Sequence, residues 1–179
     1  MKRTTLTNHI DAFKTEALML LRFQLAYNRI IKFDDFGNFS RSDFVDKLIS
    51  LKAIENDLLI RVCKFDDDTT GVHSFKNAVN EISTTHKNKA KIEEKLKSFS
   101  KLIDKLKKER RHIQLAHLKI GTTDEEYDIR YELTPAIKVI IDIIDLMNLE
   151  NISYTWSDGK YEKFDLRKEV LSEPASIEK

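Results

Sequence analysis

Between Ile92 and Leu106 the apolar residues fall at spacings of four and three: Ile92, Leu96, Phe99, Ile103 and Leu106. This is the stripe of one long amphipathic helix, and it commits that part of the chain to packing as a rod against other rods. The same rhythm, continued, reaches Arg110, Ile113 and His117. An arginine and a histidine thus stand where apolar side chains are due, and local rules are broken in this way chiefly at functional sites. Arg111 and His112 crowd the same turn. One helix end collects two permanently charged guanidinium groups and two imidazoles, which exchange protons near neutral pH.

Other stretches carry the same period. Leu6, Ile10, Phe13 and Ala17 open a first helix over about Leu6–Lys32, which becomes apolar on more than one face. A second is expected from a cap at Ser42, with Phe44, Leu48, Leu51, Leu58, Val62 and Phe65 as its stripe and Glu55 as an intruder on it. Glu55 is more often a structural pair than a partner of the arginine cluster. Asp66, Asp67 and Asp68 with Gly71 read as a solvated turn, since adjacent side chains do not converge on a metal. Ser74 caps a short third helix, the fourth spans about Asn88–Leu118, and Thr134-Pro135 opens a fifth that runs to about Asn148. Ile152, Tyr154 and Trp156 alternate before Asp158-Gly159, and Tyr161 and Phe164 follow, which predicts a β-hairpin over 152–164. Residues 172–179 read as a frayed tail. The expectation is one domain, 1–179: an all-α bundle of about five helices with a small C-terminal hairpin.

With only four glycines and two prolines in 179 residues, little interrupts these helices. The single Cys63 excludes an internal disulfide and a cysteine-built zinc site. No phosphate-binding glycine loop, zinc-binding His-Glu-x-x-His or nucleophile elbow is present, so neither a metal nor a cofactor is expected. No stretch is apolar enough to span a bilayer, and the first residues lack a signal-peptide core, which leaves the cytoplasm as the expected compartment. Charge is unevenly spread. Residues 86–112 hold nine lysines and two arginines against four acids, a net +7; residues 119–179 hold eight bases against fourteen acids, a net −6. A basic helix of this kind suits a polyanion such as RNA, although on charge alone a solvated lysine face balanced by an acidic tail is the preferred reading.

Metal-free RNA cleavage needs a base for the 2′-OH proton, a cation for the crowded phosphorane and an acid for the leaving 5′-oxygen. Histidine serves as either proton carrier, and arginine grips phosphate oxygens with two donors. Arg111-His112, four further residues and then His117, preceded by Leu115-Ala116, resemble the signature of HEPN domains, closest in wording to members of abortive-infection and toxin systems. The resemblance implies an all-α fold and a homodimer that pools two arginines and two histidines in one cleft. It also implies endoribonuclease activity in phage defence, with 2′,3′-cyclic phosphate and 5′-hydroxyl products. It makes His117 the proton carrier and Arg111 the phosphorane stabiliser, beside His112. Arg110, Lys107, Lys108 and Lys119 are the expected RNA contacts. Helical phase, at ~100° per residue, instead puts Arg110 on the stripe of His117. In HEPN toxins silenced by a nucleotidyltransferase a tyrosine stands two residues after the histidine; Lys119 stands there in this chain, which argues against that kind of antitoxin, though not against some other neutralising regulator.

The bland account is a helical module that binds a protein, nucleotide or RNA partner without cutting it. In that case His117, flanked by Leu115 and Leu118, is a hydrogen-bonded interior residue.

Overall fold

Helix α1 (Leu6–Ile31) buries Ile10, Phe13, Ala17, Leu20, Leu21 and Leu25, a face wide enough to need neighbours on several sides. It finds them in α2 (Arg41–Lys64), α5 (Leu133–Asn148) and α6 (Leu166–Leu171). The computed structural model describes residues 5–31, 39–108, 133–157 and 163–171. Within them α3 (Phe75–Asn80) and α4 (Lys89–Lys105) complete the helices, and β1 (Thr155–Ser157) pairs antiparallel with β2 (Lys163–Asp165). The architecture is an all-α bundle with one small strand pair. Residues 158–162, at the centre of the expected hairpin, and the tail 172–179 lie outside the described residues.

Polar contacts set the direction of each helix pair. Glu16 of α1 accepts from Arg61 (2.9 Å) and Lys64 (3.3 Å) of α2, while Tyr27 donates to Glu55 at 2.8 Å, so α1 and α2 run antiparallel. Glu55 is therefore held by a tyrosine. Asn88 donates to the Leu146 carbonyl (3.0 Å) and Lys95 pairs with Asp142 (2.8 Å), which makes α4 and α5 antiparallel as well. The described ends at Lys108 and Leu133 consequently lie at the same end of that pair.

Several boundaries differ from the sequence expectation. Ser40, rather than Ser42, caps α2 by accepting from the Asp43 backbone N–H at 3.2 Å. Either serine satisfies the chemistry, and the chain enters the helix one residue pair earlier. Ser74 caps α3 as expected. Helix α5 is already under way at Leu133, so Thr134 is a helical residue instead of a cap. α6 was not expected: six residues starting right after β2 are too few for a periodic signal. Asp165 opens α6 by accepting from the Arg167 backbone N–H at 3.1 Å.

The core centres on phenylalanines from four elements. Phe75 (α3) meets Phe13 (α1) at 4.9 Å between ring centroids, Phe65 (end of α2) at 5.0 Å and Phe99 (α4) at 5.7 Å. All four are buried. The first half of α2 behaves otherwise: Val45, Leu48 and Ile49 are 45%, 43% and 62% exposed. Of the expected stripe Leu48 is exposed, Leu51 is half-buried against the core, and Leu58, Val62 and Phe65 are fully buried, so the inner face begins at Leu51.

Truncating the central ring leaves a cavity that its rigid neighbours cannot fill, so Phe75→Ala is expected to cost about 3–5 kcal/mol in urea unfolding, against less than about 0.5 kcal/mol for Ile49→Ser. Leu149 closes α5 with φ +63°. A side chain in this left-handed region is strained and glycine is not, so Leu149→Gly should raise the unfolding free energy by about 0.5–1 kcal/mol in the same assay.

Candidate functional site

α4 is the rod that leads to the arginine/histidine cluster. Of its stripe, Ile92, Phe99, Ile103 and Leu106 are buried and Leu96 packs against the core, as their spacing requires. Beyond Lys105 the chain tightens no further; it widens into a π-helical turn over residues 106–108. A π turn takes an extra residue into the ring, so the helical phase counted from Ile103 does not pass it unchanged. The stripe that joined Leu106 to Arg110 and His117 by counting is interrupted at this turn. Arg110, Arg111, His112, His117 and Lys119 themselves lie outside the described residues.

Lys107 and Lys108, the two remaining expected RNA contacts, have different fates. Lys108 is exposed and pairs with Asp104 one turn back at 2.8 Å, a contact solvent leaves weak. Lys107 turns inward. Its ammonium donates to the Asp66 carbonyl (2.8 Å) and to the Asp66 carboxylate (3.2 Å). Asp66 is 5% exposed, and it also receives Ser100 of α4 at 2.7 Å and Lys76 of α3 at 3.3 Å. So one carboxylate just past α2 ties α3 and the end of α4 together, immediately before the cluster begins.

This corrects the reading of Asp66–Asp68 as a solvated turn. Asp67 does behave that way, accepting from the Thr69 backbone N–H at 2.9 Å. Asp66 follows Phe65 into the interior, and its charge is matched there by two ammonium groups and a hydroxyl. Nothing in its spacing points to this role, since its α4 partners are 34 and 41 residues away. Among the described residues no group of three or more His, Cys, Asp and Glu is placed to hold a metal.

The outer face of α4 remains basic but less so than the count of residues suggests. Between residues 87 and 108 the exposed, described charges are Lys87, Lys91, Lys97, Lys101 and Lys108 against Glu93, Glu94 and Asp104. Lys95 and Lys107 are engaged with Asp142 and Asp66. Lys97 and Lys101, one turn apart, share one face of α4, and Lys108 lies at the π-helical turn beyond them. A groove of about 600 Å³ lies between α4 and α5, bordered by Lys95, Asp142 and Asp145. Of its charged lining residues, Lys95 is paired with Asp142 and Asp145 with Arg167.

No family model matches the chain, and no similar curated protein or solved structure was found. No helix of the described residues is long and apolar enough to cross a membrane.

Removing the Asp66 carboxylate strands Lys107, most of whose side chain is buried. Asp66→Ala is expected to destabilise the fold by about 3 kcal/mol, the low end for a broken buried pair because a lysine can reach back toward water. Chemical denaturation of Asp66→Ala beside Asp67→Ala, which should cost under about 1 kcal/mol, checks this.

Proposed function

We propose that the chain is a metal-independent endoribonuclease of the HEPN type, acting on cytoplasmic RNA in a phage-defence or toxin setting under some cognate regulator. What supports the reading is the order of the sequence: the exposed lysine face of α4, with Lys97 and Lys101, and then Lys108 precede the Arg110–His117 stretch along the chain. A polyanion drawn along that face arrives at the groups that handle phosphate and protons. A ribose 2′-OH loses its proton to an imidazole and attacks the adjacent phosphorus. Arg111 neutralises the phosphorane, and a protonated imidazole donates to the departing 5′-oxygen. The products are a 2′,3′-cyclic phosphate and a 5′-hydroxyl. In this scheme His117 carries the proton, and His112, Arg110 and Lys119 hold the phosphates. Lys107 contributes through its bond to Asp66, as the anchor of the turn from which the cluster departs. One His and one Arg per chain leave the second proton carrier to a second copy, so the enzyme works as a homodimer.

The apolar faces of α1 and α5, which the sequence leaves available to a dimer, are filled within the chain by α2, α4 and α6. The exposed Val45, Leu48 and Ile49 of α2 instead favour a second reading, a module that binds a partner without cutting RNA.

The two readings separate in an assay with single-stranded RNA in EDTA. His117→Ala is expected to lower kcat by about 10²–10⁴ with the circular dichroism spectrum unchanged. A wild type that leaves RNA intact, or a variant as active as wild type, overturns the nuclease reading. Lys97→Gln with Lys101→Gln should weaken RNA binding and reduce the slope of log affinity against log salt by ~1.4, the contribution of two phosphate contacts to a single strand.

A further inference from the structure

His9 lies in the first turn of α1 and is almost sealed, at 3% exposure. His73, in the loop between α2 and α3, faces solvent. Their Nδ1 atoms are 3.2 Å apart and the rings meet edge to face, 4.8 Å between centroids. Two ring nitrogens at that separation form a hydrogen bond only when one carries a proton and the other does not. The neutral pair satisfies this with one ring as the Nδ1–H tautomer and the other with a bare Nδ1. So does the pair with one added proton. A second added proton sets N–H against N–H and charge against charge.

We propose that His9 and His73 form a proton-operated latch, which fastens the α2–α3 loop to α1 at neutral pH and lets it go when both rings become charged. The asymmetry of burial decides which half moves. His9 is fixed on a helix, its ring 5.9 Å from that of Phe13, and is almost fully enclosed. His73 needs only to swing outward. The loop stays fastened to α3, because the Asn77 side-chain amide donates to the Thr69 carbonyl (2.9 Å) and the Val72 carbonyl (3.0 Å). Release therefore parts the loop from α1 and leaves its bonds to α3 in place.

Burial and the neighbouring His73 hold His9 below its ordinary value of 6.5, and Glu81, just past α3, pulls the other way. Glu16 of α1 and Lys64 of α2 border the same spot, but Glu16 is already shared between Lys64 and Arg61. Because His9 is held neutral, the closed loop is fully favoured above about pH 6.5 and loses ground as pH falls toward the lowered His9 value. Beside the latch lies a cavity of about 200 Å³ whose walls include Ala12, Phe13, Phe65 and His73. Outward movement of His73 would widen this recess beside the core phenylalanines.

Two readouts on the intact chain between pH 8 and pH 5 test the latch: amide hydrogen exchange over residues 69–74, corrected for the intrinsic pH dependence of exchange, and the imidazole ¹⁵N titrations. In wild type the opening constant should rise as pH falls below about 6.5, by at most about tenfold per pH unit. The His9 ring should take up its proton below the ordinary value of 6.5. His73→Gln, at an exposed site that leaves the core untouched, should show an opening constant that stays level across the range, and His73→Ala should behave alike. Equal pH dependence in wild type and both variants, or a His9 ring that titrates at the ordinary value, overturns the proposal.

Discussion

Four rings meeting around Phe75 hold this molecule in one piece. Phe13, Phe65 and Phe99 come from elements that share no local sequence, and a helix of six residues places one ring against all three. A helix that short has almost no stability of its own, since nucleation costs more than so few hydrogen bonds return. It exists because Ser74 caps it, because the Phe75 backbone N–H donates to the Phe65 carbonyl at 2.9 Å, and because its first side chain is buried among aromatics. Apolar burial is thus what creates the local structure here, and α1, α2 and α4 take their mutual positions from it.

Directly beside Phe65 sits the opposite kind of contact. Asp66 carries a charge into the interior, where it is matched by Lys76, Lys107 and Ser100. A matched buried charge adds little net stability against an apolar replacement, but it is selective, since any other register would leave it unpaired. The aromatic cluster fixes how close α3 and α4 come, and Asp66 fixes which turn of α4 lies there. The π-helical turn at residues 106–108 falls where Lys107 bends toward that carboxylate. The position of the turn at residues 106–108 is therefore set by a residue just past the end of α2.

The same division between packed and free surface shapes α2. From Leu51 onward it packs against the core, while its first turns carry Val45, Leu48 and Ile49 in the open. Helical periodicity reports that a face is apolar and is silent on what covers it. That is why the stripe of α2 reads as continuous in the sequence although only half of it is enclosed. The reverse holds for α1 and α5, whose many-sided apolar character is used up inside one chain.

What the sequence determined by itself is what depends on neighbours within a turn or two. The all-α class, the extent of α1, the start of α4, the cap at Ser74 and the burial of Ile92, Phe99 and Ile103 all follow from spacing and capping chemistry. The composition of the Arg110–His117 stretch is legible in the same way, since guanidinium and imidazole announce their chemistry wherever they stand. Tertiary structure alone decided the rest. His9 reads as a polar residue at a helix start until His73 arrives from 64 positions away, and Asp66 reads as a turn residue until α4 crosses it. Lys107 and Lys108 are alike in sequence, yet one is buried against a carboxylate and the other is exposed. The physical reason is common to all of these: the environment of a charged or titratable group is made by side chains distant in sequence, and only packing brings them within reach.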